Sequence, residues 1–316
     1  MSTTAIDTAR TNERLSAFLT EIGASEPIDN YFPRIPALDA LFKKKKMQDG
    51  GRQILYPIDS GTNSTIKDFS DNDVFDTSGQ DTALTVVYPF VNKGGTITIS
   101  WEELRETAGN DHRIFDLMKH KRDNAMKTSM DQLATDLFAP AQAPLKITSL
   151  NVLVDSTGSV GGLSAATDTD WASIETGSGS FATQGLSDMR TLYNRLTEDN
   201  ANPNLILTNR TIYEFYENSI DPDVRYSTAQ GTGGRGFKSL EFKGIPIIYD
   251  KKATSGVLYM IDTDNTFFIC DTEGNFAVDE FQTPVNQKVS TAKIVFRGNL
   301  VCNRRRSNGK LTGIVA

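Results

Sequence analysis

A glycine-rich loop is the segment of this 316-residue chain that comes nearest to a cofactor site. Gly231, Gly233 and Gly236 match the dinucleotide fingerprint G-x-G-x-x-G, with Gly234 and Arg235 between them. The fingerprint holds a phosphate only where a strand precedes it and a helix follows it, because the phosphate binds at the helix N-terminus. Residues 237–244 lead instead into a predicted strand. The sequence therefore predicts a flexible surface loop, and a nucleotide-dependent enzyme is the alternative hypothesis.

Metal-binding and nucleophilic residue types are few and badly spaced. His112 and His120 are two turns apart on one predicted helix, which is too far for them to share a metal ion. Asp262 begins a stretch that starts like a calcium loop but lacks the glycine at the sixth position, so a turn is predicted. Cys270 and Cys302 are predicted to be packed thiols in a reducing compartment. We expect no catalytic, metal or cofactor site and no enzymatic activity.

Net charge limits the partners that this chain can bind. The value of −7 argues against strong sequence-specific binding of DNA, although an acidic wall that merely encloses DNA is compatible with it. Basic residues are dispersed, apart from runs at 43–46 and 304–306. No apolar run is long enough to cross a bilayer and no signal peptide is visible, so no membrane association is expected.

The first half of the chain alternates helical and extended patterns. Ser100 and Glu103 have capping-box spacing, which predicts a helix start at residue 101. Trp171 is predicted to anchor a loop insertion that is rich in small residues. The other predicted elements are a helix at 1–24, an arm at 27–36, strands at 52–58 and 84–91, a polar span at 59–81, a turn at 92–95, a strand at 96–100, a long helix at 111–139, a strand at 145–154 and the loop insertion at 155–185.

The second half reads as a compact α/β unit followed by a strand that returns to the C-terminus. Thr211 and Glu214 have capping-box spacing, so a short helix is predicted to begin there. The predicted elements are helices at 186–196 and 211–217, strands at 203–208, 244–250 and 257–262, a hairpin formed by 266–270 and 275–278, and the final strand at 293–302.

Two segments are predicted to need a neighbouring molecule. The arm carries Tyr31, Phe32 and Ile35, and aromatic terminal arms are seldom ordered unless they dock. The polar span at 59–81 cannot bury itself, and a two-stranded hairpin is marginally stable alone. Three hypotheses fit the lysines at 43–46. They form a solvated stretch, a patch that pairs with acidic residues of a neighbouring subunit, or a contact with enclosed DNA. The candidate residues of the neighbour contact are Lys43, Lys44, Lys45, Lys46, Asp68, Asp71 and Asp73.

The order of the predicted elements resembles that of the major capsid proteins of tailed bacteriophages, the Hong Kong 97-type fold. Residues 203–209, 242–247 and 297–301 resemble local strand signatures of that family. The resemblance implies an α+β fold with an N-terminal arm, an extended β-hairpin loop, a spine helix, a peripheral domain and an α/β axial domain. The implied boundaries are 1–49 for the N-terminal helix and arm, 50–99 for the extended loop, 100–186 with 293–316 for the peripheral domain including the spine helix 111–139, and 187–292 for the axial domain.

The same resemblance implies a function and a set of partners. It implies self-assembly into pentamers and hexamers of an icosahedral shell that encloses double-stranded DNA, with the glycine-rich loop near the local symmetry axes. Scaffolding, portal and decoration proteins are the expected further partners, and the expected location is the virion, after synthesis in the bacterial host cytoplasm. About fifty residues precede the extended loop, which is too few for a cleaved scaffolding segment, so either a separate scaffolding protein exists or this is the mature product. The alternatives are an encapsulin-type compartment shell, a tail or decoration protein, and the nucleotide-dependent enzyme.

Overall fold

The computed structural model describes residues 35–59, 61, 63–79, 83–106, 111–198, 201–220, 240–284 and 286–316, with the backbone alone at 104, 106 and 111–118. The predicted helix at 1–24, most of the arm with Tyr31 and Phe32, and the whole glycine-rich loop with Gly231, Gly233, Gly234, Arg235 and Gly236 lie outside the described residues.

Helices and strands alternate along the described chain. The helices are α1 (Pro36–Phe42), α2 (Trp101–Glu106), α3 (Asp111–Leu137), α4 (Leu150–Leu153), α5 (Leu186–Glu198) and α6 (Arg210–Ser219). The strands are β1 (Lys46–Gln48), β2 (Gln53–Asp59), β3 (Ala83–Pro89), β4 (Val91–Ser100), β5 (Ser159–Val160), β6 (Leu163–Ser164), β7 (Ile174–Gly177), β8 (Leu205–Thr208), β9 (Glu241–Phe242), β10 (Ile245–Tyr249), β11 (Leu258–Ile261), β12 (Thr266–Val278), β13 (Val289–Cys302) and β14 (Gly309–Thr312). The fold is α+β, as predicted. Among the described residues, no helix combines the length and the apolar character that a bilayer span requires.

Two compact units make up the chain, and the smaller one contains Asn92–Gln132 and Glu273–Arg297 among the described residues. Its strands follow the order β12-β13-β4. The predicted turn at 92–95 is wrong, because β4 runs without a break through Gly94 and Gly95. A Cβ atom at Gly94 would lie 3.2 Å from the carbonyl oxygen of Ile294, so glycine here permits close approach of two strands.

The start of α2 confirms the predicted capping box. The backbone N–H of Glu103 donates to Ser100 Oγ at 3.2 Å, and the backbone N–H of Ser100 donates to Glu103 Oε2 at 2.8 Å. Lys121 of α3 adds an ion pair to the same Glu103 carboxylate at 2.6 Å. Local sequence thus sets the junction between β4 and α2, and one lysine of the long helix reinforces it.

The larger unit contains Ile35–Val91, Leu133–Thr272 and Gly298–Ala316, and it is built on a six-stranded sheet of order β7-β14-β11-β8-β10-β9. Strands β8 and β10 pair in parallel, whereas β11 is antiparallel to both β8 and β14. Helices α5 and α6 pack on this sheet. The buried helix residues are Met189, Leu192, Leu196, Ile212 and Tyr216. Two of the six strands, β7 and β14, come from outside the range 187–292 that was predicted for the axial domain.

Strands β2 and β3 form the predicted antiparallel hairpin, with a register that runs from Gln53 opposite Pro89 to Asp59 opposite Ala83. One face of the hairpin is buried, because Ile54, Val86 and Tyr88 pack in a second core cluster. The other members of that cluster are Val160, Trp171, Phe267, Ile269 and Val301. One face of the hairpin is therefore packed against the rest of the larger unit.

Several local predictions are wrong for identifiable reasons. The predicted strand at 145–154 contains helix α4, because Ser149 caps it by accepting a hydrogen bond from the Val152 N–H. Helix α6 begins earlier than predicted, since Asn209 caps it by accepting a hydrogen bond from the Ile212 N–H at 3.0 Å. The predicted hairpin at 266–278 is the single strand β12. The supposed loop insertion at 155–185 contributes strand β7 to the sheet.

Candidate assembly surfaces

The hairpin is held to the rest of the larger unit by side chains that sequence analysis did not connect with it. The Tyr88 hydroxyl donates to the Cys302 carbonyl oxygen at 2.9 Å and accepts from the Cys302 N–H at 3.3 Å. The Asn299 amide donates to the Pro89 carbonyl oxygen at 2.9 Å and accepts from the Thr148 N–H at 2.8 Å. Both contacts bridge more than 150 residues of chain, so local sequence patterns could not reveal them.

The segment between the two hairpin strands, residues 63–79, is irregular and largely exposed. Short turns organise it: the Thr65 N–H donates to Asn63 Oδ1 at 2.9 Å, and the Ser70 N–H donates to Asp73 Oδ2 at 2.9 Å. These turns give the segment local side-chain hydrogen bonds in place of the backbone hydrogen bonds of a β-sheet. We call residues 63–79 the hairpin loop from here on.

Large apolar side chains are exposed on the hairpin loop. Phe69 and Phe75 contact each other with ring centroids 5.0 Å apart, yet 63% and 58% of their surfaces are exposed. Ile66 and Val74 are 81% and 84% exposed. Scattered single apolar residues on a surface are ordinary, but a group of four on one short loop is typical of an interaction site.

The three acidic candidates, Asp68, Asp71 and Asp73, lie on this same loop and are exposed. The structure therefore brings together the predicted acidic contact residues and an apolar group that the sequence analysis did not single out. Spacing could have indicated it, since Ile66, Phe69, Val74 and Phe75 interrupt an otherwise polar segment. Whether these side chains form a core or an interaction surface depends on their exposure, which sequence alone does not give.

The lysine run has contacts within its own chain. Lys44 Nζ lies 3.0 Å from Asp264 Oδ1 in an exposed ion pair. Lys46 begins β1, which pairs in parallel with Ile269–Asp271, and its ammonium lies 3.7 Å from the centroid of the Phe267 ring. The run is thus partly ordered by this chain, and its predicted contact with a neighbouring subunit stays a prediction.

Ile35 is the one arm candidate among the described residues, and it immediately precedes helix α1. Its carbonyl oxygen accepts from the Asp39 N–H at 3.2 Å. The Ala37 N–H donates to Asp250 Oδ2 at 3.3 Å, and the α1 side chains of Leu38 and Leu41 are buried. The end of the arm is therefore fixed to the larger unit, where the sequence analysis expected irregular chain up to Pro36.

The arginine run at 304–306 divides between core and surface. Arg305 is fully buried, and its guanidinium donates to the carbonyl oxygens of Leu153, Gly158 and Val152 at 2.6, 2.7 and 3.0 Å. Burial lowers the pKa of Arg305, and the nearby carboxylate of Asp155 partly offsets that effect. The basic run at 304–306 thus contains a buried arginine that bonds the backbone.

Arg304 and Arg306 line a cleft of about 480 Å³ next to the end of strand β2. Pro57, Ile58 and Trp171 line the same cleft, and so do Asn265 and Asn303. Trp171 is buried and donates from Nε1 to the Val160 carbonyl oxygen at 3.1 Å, which confirms its predicted role as an anchor. The cleft therefore combines two guanidinium groups with the carboxylates of Asp59 and Asp170, amide groups and an apolar wall.

The two cysteines and Asp262 have structural surroundings among the described residues. Cys270 and Cys302 are buried free thiols, and burial raises the pKa of each thiol to about 11. Asp262 forms the predicted turn, since its carboxylate accepts from the Asp264 N–H at 3.0 Å. Within the described part of the chain, no three His, Cys, Asp or Glu side chains are grouped as a metal site would require.

Comparison with solved structures identifies the fold. The capsid asymmetric unit of cyanophage A-1(L) superposes with a TM-score of 0.65 at 15% identity, over 94% of this chain and 98% of that one. The capsid of the empty GTA particle superposes with a TM-score of 0.64 at 13% identity, over 94% of this chain and 96% of that one. The holo-SrpI encapsulin complex from Synechococcus elongatus PCC 7942 superposes with a TM-score of 0.59 at 10% identity, over 95% of this chain and 94% of that one. Neither protein-family models nor curated proteins match the sequence.

These superpositions extend over almost the whole of both chains, so the similarity concerns the complete fold and not a shared module. They confirm that the chain has the Hong Kong 97-type fold that its element order resembled. The division into domains at 1–49, 50–99, 100–186 with 293–316, and 187–292 stays a prediction.

Proposed function

We propose that this chain is the major capsid protein of a tailed bacteriophage and that it assembles with copies of itself into the icosahedral head around double-stranded DNA. The observation that carries the proposal is the exposed apolar group on the hairpin loop, in a chain whose fold matches a phage capsid subunit over 94% of its length. Fully burying each of the four side chains is worth about 1.5–3 kcal/mol, so a free subunit forgoes a large stabilisation that assembly supplies.

The rest of the chain supports a structural role. Among the described residues the two thiols are buried, and burial raises the pKa of each to about 11, so they stay protonated well above neutral pH. A net charge of −7 suits an inner wall that encloses DNA without gripping it. The arm with Tyr31, Phe32 and Ile35, the acidic loop residues and the lysine run supply contacts between subunits, and the glycine-rich loop adapts to five-fold and six-fold neighbours.

Phage capsids and encapsulin-type shells share this fold, and the encapsulin superposition makes a compartment shell the second candidate. A phage head encloses DNA and needs a portal and a terminase, whereas an encapsulin-type shell encloses a cargo protein. Scaffolding, portal and decoration proteins are part of the phage proposal, together with location in the virion after synthesis in the host cytoplasm.

Expression of the chain, alone and with the proteins encoded beside it, tests the proposal. Negative-stain microscopy is expected to show closed particles or large polymers, and sizing chromatography is expected to place the protein far above 34.8 kDa. A monodisperse monomer under all salt and concentration conditions would overturn it. Particles that carry a cargo enzyme, from a locus without portal and terminase, would favour the encapsulin-type shell.

A variant pair isolates the hairpin loop. Replacing Phe69 and Phe75 by Ser removes two of the exposed aromatic rings and is expected to prevent assembly without unfolding the subunit, because neither ring belongs to a buried core. Tyr249 is a control, since it is 49% exposed at the end of β10, far along the chain from the loop. Tyr249→Ser is expected to leave the particle yield unchanged.

A further inference from the structure

We propose that Leu145 is a contact residue through which one copy of this chain binds a second copy. The inference rests on the proposed function, because assembly is what brings further copies together. It goes further in naming a residue that lies outside the arm, the lysine run and the hairpin loop. Its starting point is the backbone conformation at Leu145, together with the exposure of the side chain.

Leu145 lies at the third position of a tight turn formed by residues 143–146. The Lys146 N–H donates to the Ala143 carbonyl oxygen at 3.4 Å, Pro144 is at the second position, and φ of Leu145 is 61°. Proline followed by a residue with positive φ is the pattern of a type II turn, where glycine or asparagine is usual because other side chains are strained. A leucine at this position therefore destabilises the subunit.

Two other non-glycine residues among those described have positive φ, and contacts within the subunit account for both. Lys243 lies in the turn between β9 and β10, and its ammonium donates to Asn194 Oδ1 at 2.9 Å. The ring of Phe276 packs on that of Phe296, with the centroids 4.9 Å apart. Leu145 differs from them, because 89% of its surface is exposed. Packing among the described residues thus does not compensate the strain at Leu145.

Neighbouring side chains hold the turn in place. Gln142 donates from Nε2 to the carbonyl oxygen of Lys146 at 2.8 Å and to that of Ala143 at 3.2 Å. Lys146 Nζ forms an ion pair with Asp136 Oδ1 at 2.8 Å, and Asp136 is buried near the end of α3. The leucine is therefore presented in a fixed position, which reduces the conformational entropy that is lost when it makes a contact.

The small size of the feature favours a second copy of this chain as the partner. Stable complexes of separate proteins bury about 1,200–2,000 Å² in total, and one leucine side chain supplies only a small part of that area. Leu145 therefore adds to a larger contact and does not create one by itself. Under the proposed function, every subunit makes such larger contacts with its copies. A single exposed apolar residue is ordinary on a surface, so the strained turn is the observation that carries the inference.

Asparagine substitutions at two positions with positive φ test the contact. Leu145→Asn removes the apolar side chain and relieves the strain, since asparagine tolerates positive φ. Its subunit is expected to unfold at a urea concentration equal to or above that of the wild type. The subunit concentration at which particles appear is expected to rise roughly threefold or more, because each copy loses an apolar contact. Lys243→Asn is the matched control at a φ of 51°, and it is expected to assemble at the wild-type concentration.

Light scattering measures assembly, and circular dichroism measures unfolding. Particles that appear at the wild-type concentration in Leu145→Asn would overturn the inference. A Leu145→Asn subunit that unfolds more readily than the wild type would also overturn it, because the leucine would then stabilise its own subunit. An equal rise of the assembly concentration in Lys243→Asn would reject it as well, since a change in the backbone and not the loss of the leucine would be responsible.

A photocrosslinker at position 145 identifies the partner. The chain has two cysteines, both buried, so Leu145→Cys adds an accessible thiol that benzophenone maleimide can label. Labelled subunits are mixed with an excess of wild type, assembled and irradiated, and a covalent dimer of the chain is expected on a denaturing gel.

The crosslinking result separates this inference from the proposed function. Particles that give a crosslink to a different protein, or no crosslink, would reject the second copy as partner and leave the proposed function intact. A covalent dimer that forms equally well in unassembled subunits would reject it too, because the contact would then not belong to assembly. A chain that stays monomeric under all conditions would overturn the proposed function and this inference together.

Discussion

Arg305 donates its Nε–H to the carbonyl oxygen of Leu153 at 2.6 Å, although 152 positions separate the two residues in sequence. Leu153 is the last residue of the one-turn helix α4, so the guanidinium donates to a terminal carbonyl group that has no partner within the helix. Further bonds to Val152 and Gly158 use the same side chain. The C-terminal segment is thereby fixed to the chain that supports the hairpin.

Replacing Arg305 by Met is expected to lower the free energy of unfolding of the subunit by about 2–4 kcal/mol. The side-chain volume is largely kept, but three carbonyl oxygens lose a charged donor inside the protein. Urea unfolding followed by circular dichroism measures the change. Arg306→Met is the matched control, because the ion pair between Arg306 and Asp170 is exposed and its loss is expected to cost about 0–1 kcal/mol. Equal effects of the two variants would contradict a structural role for Arg305.

Gly161 and Gly162 are adjacent glycines, and alanine substitutions at the two positions distinguish a steric effect from a conformational one. Both have positive φ, at 63° and 85°, so an alanine at either position is strained in the backbone. A Cβ atom at Gly161 would lie 2.0 Å from Val86 Cγ1 of the hairpin strand β3, whereas a Cβ atom at Gly162 would meet nothing within 4 Å. The difference between the two positions is therefore the packing of the hairpin.

Gly161→Ala is expected to destabilise the subunit by about 1–3 kcal/mol more than Gly162→Ala, since the added methyl group must displace the hairpin. Thermal unfolding of both variants measures the difference. Hydrogen exchange is expected to rise at Val87, whose N–H donates to the Gly161 carbonyl oxygen at 2.9 Å, in the first variant only. If the two alanine variants are equally stable, Gly161 does not position the hairpin.

Stability is expected to fall as pH rises from about 9 to 11. Burial raises the pKa of Cys270 and of Cys302 from the ordinary value of 9.0 to about 11. In this window the unfolded thiols release their protons while the folded ones keep them, so the unfolded state is favoured increasingly as pH rises. Below pH 9 the thiols are protonated in both states and contribute no pH dependence. The loss is on the order of 2–3 kcal/mol per thiol once pH exceeds the folded pKa.

Denaturant unfolding at pH 8.0 to 10.0, in steps of roughly half a unit, checks this dependence. The variant Cys270→Ala/Cys302→Ala is expected to lose less free energy over that range than the wild type, whatever its stability at pH 8. Tyrosine titration adds to the slope at higher pH, because burial also raises the pKa of Tyr259, to about 12. Parallel slopes for the two proteins below pH 10 would show that the thiols do not control alkaline stability.

Local signals explain which parts of the fold were predictable. The capping box at Ser100 and Glu103 and the paired strands of the hairpin follow from short-range patterns, and both were predicted correctly. The strand predicted at 145–154 was wrong because a short apolar stretch fits a buried strand and a helix equally well. Ser149 decides in favour of the helix as its cap.

The contacts that attach the hairpin were beyond sequence patterns for a different reason. Tyr88 and Cys302, or Asn299 and Pro89, meet only after the chain has folded, and each residue alone is an ordinary strand residue. In sequence Arg305 is one member of a basic run at 304–306, yet it alone of the three arginines is fully buried. The burial of Arg305 depends on which distant segments of the chain pack around it, and local sequence does not contain that information.

The four lysines at 43–46 differ in what they contact, so replacing all four at once would mix two effects. Lys44 pairs with Asp264, and Lys46 lies over the ring of Phe267, both within the same subunit. Lys45 lies at 5.8 Å from the Phe42 ring centroid and is exposed. Lys43 is also exposed at the end of α1. Two double variants that each remove two charges therefore separate subunit stability from assembly.

Lys44→Ala/Lys46→Ala is expected to lower the unfolding free energy of the subunit by about 1 kcal/mol, the sum of an exposed ion pair and an exposed cation–π contact. Lys43→Ala/Lys45→Ala is expected to leave that free energy nearly unchanged and to make empty shells dissociate at lower salt, because a screened contact between subunits is repeated at every copy. Light scattering across a salt titration measures the second effect. If Lys43→Ala/Lys45→Ala weakens only DNA-filled particles, these lysines contact the enclosed DNA, since counterion release at phosphates operates only there. Unchanged empty and filled particles would leave the lysines as a solvated stretch with no part in assembly.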